Sequence, residues 1–287
     1  MRALAEYAMR GRFQAVAVAT ICAAVPMFFW ISAAIVALVT LRKGVTEGMA
    51  LLLWASLPAL AWLVMGSDPT PTIVIVGCAG LAVVLRATAS WAMTLLAGVA
   101  LGWLASWLVP LLLPELLAEI IQASQLMLDK MAAELAQQSG EQLALWLKAI
   151  FTGVLGCMHL MAMLGCLAVG RWWQATLYNP GGFREEFHGI ILPRGMALIM
   201  MLSVLFGGAL SPAFLEWVPS LTVPFFVAGL ALVHGIIGIK KLSGQWLIGF
   251  YTMFFFMGPY LYMLLIVAAL LDSMLNLRQR ISGQVNE

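Results

Sequence analysis

Two stretches without a charged residue, Ala87–Leu113 and Gly195–Leu215, constrain everything else in this chain. Roughly 17–25 apolar residues in a helix cross about 30 Å of hydrocarbon, so each stretch is long enough to span a bilayer. Lipid offers no water to a backbone amide, and only helices and closed β-barrels satisfy all their hydrogen bonds internally. A barrel needs alternating segments of about ten residues, and a block such as "ALIMMLSVLFGGAL" does not alternate. With 63% hydrophobic and 10% charged residues and a mean hydropathy of +0.99, the chain has too little polar surface for a soluble globule. The expected fold is therefore all-α, a polytopic transmembrane helical bundle forming one membrane domain over residues 1–287.

Apolar runs between breakers fall near 13–24, 27–42, 48–66, 71–86, 88–109, 142–170, 195–215, 221–239 and 245–277, which predicts about 8–10 membrane helices. Hydrophobicity continues past any signal-peptide cleavage point, so the first run is read as a retained helix. The first two runs are short and separated by Pro26, which predicts a helical hairpin. The last run is too long for one simple crossing, and Pro259 in "MGPY" predicts a break at Gly258–Pro259. With these two devices, thirteen of the fifteen basic residues fall on one side, and only Lys130 and Lys148 on the other. The positive-inside rule then predicts a multi-pass protein of the bacterial inner membrane with both termini cytoplasmic. Residues 111–140 carry apolar positions at helical spacing and acidic ones opposite, which predicts an amphipathic helix on the outer face, as a cap or a lid.

A net charge of +2 with no basic, aromatic-interleaved stripe argues against a nucleic-acid partner. Cys22, Cys78, Cys157 and Cys166 all lie in apolar runs and read as reduced packing residues. At membrane depth the ionisable candidates are His159 and His234, the default functional candidates there. His159 shares a helical face with Met163 and Cys166, a soft stripe to which Met196, Met200 and Met201 could add ligands. The three residues span about 10 Å along the axis, too far for one ion, so no metal or cofactor is assigned. His159, Met163 and His234 remain ligand-binding candidates; His234 is expected to bond a backbone carbonyl, and the two histidines are expected to lie at different depths. No acid, base or nucleophile set points to an enzyme.

Small residues supply the other candidates. Ala15, Ala19 and Ala23 form an AxxxAxxxA ridge and Gly98 and Gly102 a GxxxG, both of which let another helix approach closely, within the chain or from a partner. The polar interval "RWWQATLYNPGGFREEFHGI" is expected to form a cytoplasmic loop over about 171–194. Arg171 would end a span, Trp172, Trp173 and Tyr178 would sit in the interfacial aromatic belt, and Asn179, Pro180, Gly181 and Gly182 would turn. Glu185, Glu186 and His188 would do metal or acid–base work only with a ligand from elsewhere.

Three motifs carry a family resemblance: "VALVTLRKGVTEG" after a Pro-initiated helix, "RWWQATLYNPGGFREEF", and a last helix ending "LLDSMLNLRQR". Together, over essentially the whole chain, they resemble the YybS-like family of bacterial inner-membrane proteins, which is distantly similar to the S components of energy-coupling-factor vitamin transporters. That resemblance implies a ligand near the outer face and a coupling partner meeting the Ala15, Ala19, Ala23 ridge. The chain carries more helices than the six usual for S components and has no vitamin-contacting motif. The resulting expectation is a non-enzymatic membrane protein that binds or helps transport a small apolar or aromatic molecule. The alternative is a scaffold or assembly factor that docks a membrane-protein partner through its helices or the cytoplasmic loop.

Overall fold

The computed structural model describes residues 1–66, 68–115, 118, 122 and 140–285. Among the described residues there are thirteen α-helices and no strand. In chain order they are α1 (Arg2–Met9), α2 (Arg12–Ala24), α3 (Phe29–Lys43), α4 (Val45–Gly66), α5 (Thr70–Thr88), α6 (Trp91–Leu112), α7 (Gly140–Tyr178), α8 (Gly182–His188), α9 (Arg194–Leu210), α10 (Val218–Ile239), α11 (Gln245–Phe256), α12 (Gly258–Leu275) and α13 (Leu277–Val285). Among the described residues seven segments are long and apolar enough to cross a membrane, and α2, α9 and α11 are shorter apolar helices. The polytopic bundle expected from the sequence is thus present. Most of the amphipathic segment anticipated over 111–140, Lys130 included, lies outside the described residues.

Both expected breaks are in place. A short 3-10 turn, Pro26–Phe28, joins α2 to α3, and at 13 residues α2 is only about 20 Å long, a hairpin arm rather than a full crossing. Met257 leaves helical geometry between α11 and α12, with Pro259 in the first turn of α12, where a missing N–H costs nothing.

Two helices organise the interior. In α3 every residue from Ile31 to Leu41 is buried, as expected of a helix apolar on all sides. It packs against α2, α4, α5 and α7. The other is α7, at 39 residues about 58 Å long, which packs against α3, α5, α6 and α10. Its glycines set these crossings: a Cβ on Gly170 would strike the Ala34 carbonyl of α3, and one on Gly156 would strike the Gly102 carbonyl of α6. The periphery carries exposed large apolar side chains, among them Leu53, Val64, Leu205 and Phe255, as a lipid-facing surface should.

The contacts at one end of the bundle gather basic residues from helix starts and ends that alternate in direction. Arg12 at the start of α2 pairs with Glu47 at the start of α4 at 3.6 Å. Arg42, ending α3, lies 4.1 Å over the Tyr178 ring at the end of α7, and Arg86 of α5 donates to the Thr40 and Leu41 carbonyls. Arg171, Arg184 and Arg278 join them through α8. At the opposite end Trp62 donates to the Ala24 carbonyl, and Lys148 faces Glu216 across a small cleft.

The crossing of α6 and α7 gives a direct test of the packing. Gly156→Ala puts a methyl against backbone and is expected to cost about 1–3 kcal/mol, the usual penalty for overpacking. Gly165→Ala on the same helix meets nothing within 4 Å and is expected to be neutral or slightly stabilising. Thermal unfolding of the two variants in the same detergent checks the contrast.

Candidate functional site

The polar interval that follows the inner helix α7 is built into the bundle. The helix does not end at Arg171 but continues to Tyr178, and this corrects the span boundary expected from the charge. Arg171 is tolerated there because its guanidinium makes a two-pronged ion pair with Glu186 of α8, with Nε at 3.0 Å from one carboxylate oxygen. Trp173, expected in an interfacial belt, is instead fully buried in the core, because it falls on the inward face of that longer helix. Trp172 and Tyr178 remain exposed. Asn179 and Pro180 are exposed in the turn, Gly181 adopts a positive φ of 91° that favours glycine, and the buried Gly182 opens α8.

That turn folds α8 back over the ends of α6, α7 and α10. Phe183 and Phe187 face inward: Phe183 lies 6.3 Å from the Trp91 ring, and Phe187 meets His234 of α10 edge-on at 5.4 Å. Gly235 and Gly238 leave the surface of α10 flat beneath His188, whose carbonyl and ring lie about where their side chains would begin. The strand-like link after α8 is held from the other side by Arg278, which donates to the carbonyls of His188 and Ile190, the latter at 2.7 Å. Arg278 also forms a 3.0 Å ion pair with the buried Asp272. Asn276 makes this possible, because its left-handed conformation turns α13 back towards α12.

Between α8 and the ends of α7, α10 and α11 lies a chamber of about 500 Å³. Its walls are aromatic and small side chains, including Trp172, Phe183 and Phe187, and its polar groups are Thr176, Arg184, His188, His234 and Tyr251. It opens past Gly181, Arg184 and His188 into a second recess of about 700 Å³ floored by Gly235 and Gly238, with Glu185 on its rim. His234 bonds the Tyr251 hydroxyl at 2.8 Å, which corrects the backbone carbonyl partner expected for it. The carbonyls of α10 are occupied by the helix, while α11 brings a phenol within reach. The His188 ring is held below its ordinary value of 6.5, first by burial and then by the positive fields of Arg184, His234 and Arg278.

The other candidates separate. His159 sits on α7 towards the opposite end, with Nδ1 at 2.8 Å from the Leu155 carbonyl, so the two histidines do lie at different depths. Met163 is buried over Gly77 of α5, and Cys166 is buried beside Cys78. The methionines of α9 are not brought to this stripe, since α9 packs mainly on α10 and the 3-10 turn Pro212–Glu216, and less on α12. No cluster of three or more His, Cys, Asp or Glu occurs among the described residues. Ala15, Ala19 and Ala23 are the buried positions of α2, which packs against α3 and α4. Gly98 and Gly102 receive Leu160 of α7. In this conformation both small-residue stripes are therefore filled by the chain's own helices and are not open to a partner.

Arg184, Tyr251, Asp272 and Arg278 were not among the residues singled out from the sequence. The one local sign was an aspartate near the end of an apolar helix followed six residues later by an arginine. No family model, curated protein or solved structure matches this chain.

Titration of His188 gives a test with a definite sign. Because its folded value is depressed, the unfolded chain takes up the proton first, so the stability it contributes is full above about 6.5 and is lost as the pH falls below it. Acidifying from about pH 8 to about pH 5.5 is expected to lower the melting temperature more in the wild type than in His188→Gln. Equal losses would show that the ring is solvated as in the open chain.

Proposed function

We propose that the protein is a non-enzymatic membrane component that binds a small amphiphilic acid in the chamber under α8. The observation that carries this reading is the composition of the chamber: among the described residues its one formal charge is the Arg184 guanidinium, His188 and His234 can offer ring N–H groups, no carboxylate lines it, and its walls are aromatic and apolar. An aromatic or apolar body fits among Trp172, Phe183 and Phe187, and an acidic group fits beside the exposed Arg184 guanidinium. Glu186, on another face of α8, is paired with Arg171, and Glu185 lines the adjoining recess and not the chamber itself. The resemblance to YybS-like proteins and S components implies a ligand near the outer face, at the other end of the bundle, so this reading rests on the chamber alone. A docking role through α2 or α6 is less well supported, because their stripes are buried within the chain.

A nanodisc-embedded sample dialysed to equilibrium against labelled 1-naphthoate is expected to bind it saturably. Arg184→Ala is expected to weaken binding by about ten- to a hundredfold, the worth of one charge-assisted hydrogen bond. An affinity unchanged by Arg184→Ala would reject the site.

The chamber end is proposed to face the cytoplasm of a bacterial inner membrane, since the basic residues concentrate there. In a variant lacking the native cysteines, Glu185→Cys should be shielded from an impermeant maleimide in intact cells and Met65→Cys should be labelled. The reverse pattern would invert the protein in the membrane.

A further inference from the structure

A second cavity, at the opposite end of the bundle, has different chemistry. It holds about 370 Å³ between the turn that opens α5, the end of α6 and the middle of α7. Val109, Leu113 and Met158 supply apolar wall, and Asp68, Thr70 and His159 supply the polar groups. Among the described residues no lysine or arginine lines it.

His159 is 8% exposed, and its hydrogen bonding fixes what it can offer. A carbonyl can only accept, so in the neutral ring Nδ1 carries the proton that is donated to Leu155. Nε2, on the far side of the ring from that carbonyl, is then a lone-pair acceptor. It is buried and has no hydrogen-bond partner among the described residues. Leaving a buried acceptor unsatisfied is costly, and native structures seldom do so without a functional reason. Asp68 adds a second acceptor: one carboxylate oxygen takes the Thr70 amide at 3.0 Å, and it brings negative charge to the same cavity.

We infer that this cavity binds an organic ammonium ion, with the N–H groups shared between His159 Nε2 and the Asp68 carboxylate and the carbon body against Val109, Leu113 and Met158. An ammonium supplies the donor that His159 Nε2 lacks and a further one for the Asp68 carboxylate, and its charge offsets that of the carboxylate. An acid would meet an acceptor at both His159 Nε2 and the Asp68 carboxylate, with only the Thr70 hydroxyl able to donate, and is disfavoured. The site therefore selects the charge opposite to that selected under α8. The two lie on one helix, about 20 Å apart by the rise from His159 to Trp172. The inference stands independently of the reading of the α8 chamber.

The probe is benzylammonium, with benzoate as the counter-probe, on the full-length protein in nanodiscs. Histidine-selective ¹⁵N spectra contain three side chains, assignable by single substitution. Benzylammonium is expected to shift the His159 Nε2 resonance saturably and to leave those of His188 and His234 in place; benzoate is expected to leave His159 unmoved. His159→Leu and Asp68→Asn should each weaken amine binding at least tenfold, and Arg184→Ala should not change it. The proposal is overturned if the amine leaves the His159 resonance unmoved in the folded wild type. It is equally overturned if both variants retain wild-type affinity, or if zinc binds stoichiometrically and displaces the amine, which would make the site a metal site. Because the wild-type spectrum decides the first of these, a variant that fails to fold does not protect the idea.

Discussion

A bilayer supplies no hydrogen-bond partner, so each place where this chain leaves helical geometry near the membrane has to satisfy its own backbone. The structure meets that demand with side chains brought from a distance. The last carbonyls of α3 are taken by Arg86 of α5 and Gln174 of α7. The extended link after α8 is taken by Arg278, itself neutralised by the buried Asp272. Arg86 and Arg278 bring a cation to a helix C-terminus and to free carbonyls, the arrangement that dipoles and desolvation both favour, and Gln174 adds a neutral amide donor. The basic residues gathered at this end thus have a structural task, and the chamber under α8 exists because those links hold α8 in place. The anion preference proposed for it follows from the same arrangement: cations brought in to cap carbonyls, together with Arg184, which has no ion-pair partner among the described residues, leave a positive field around an aromatic recess.

Close backbone approach is the second requirement. Without a hydrophobic force between helices in lipid, association depends on contact area, and small residues provide it. Gly156 against Gly102, Gly170 against Ala34 and Gly229 against the Leu265 carbonyl bring α7 to α6 and α3, and α10 to α12. The same demand accounts for the alanine ridge of α2. A stripe of small residues reads identically whether its partner is the next helix in the chain or another protein, so Ala15, Ala19 and Ala23 could not be assigned from spacing alone.

What was legible in the sequence was local. Pro26 and Pro259 interrupt helices through their own chemistry, and both breaks fall where those residues put them. The bilayer sets the span length, so most helix boundaries lie within a few residues of the apolar runs. The misreadings share one cause, a partner far away in the chain. Arg171 looked like a helix end because a lone cation at the edge of an apolar run normally is one; Glu186, fifteen residues on, removes that reason. Trp173 looked like a belt residue because the helix was thought to stop before it. His234 finds Tyr251 only because the turn over residues 240–244, with Lys241 at a positive φ, directs α11 back towards α10. His159, by contrast, bonds four residues back on its own helix, within reach of sequence reasoning, and what it lacks became visible only with the cavity beside it.

The central claim is that α8 is a docked wall of a binding chamber and not a free surface loop. Peptide-level hydrogen exchange over residues 181–190 in nanodiscs measures this most directly. The account predicts amides protected by at least about a hundredfold over an open chain, since exchange there requires breaking the Arg171 and Arg278 links. It also predicts a further slowing when 1-naphthoate is added. Exchange at open-chain rates, unaffected by the acid, would contradict it.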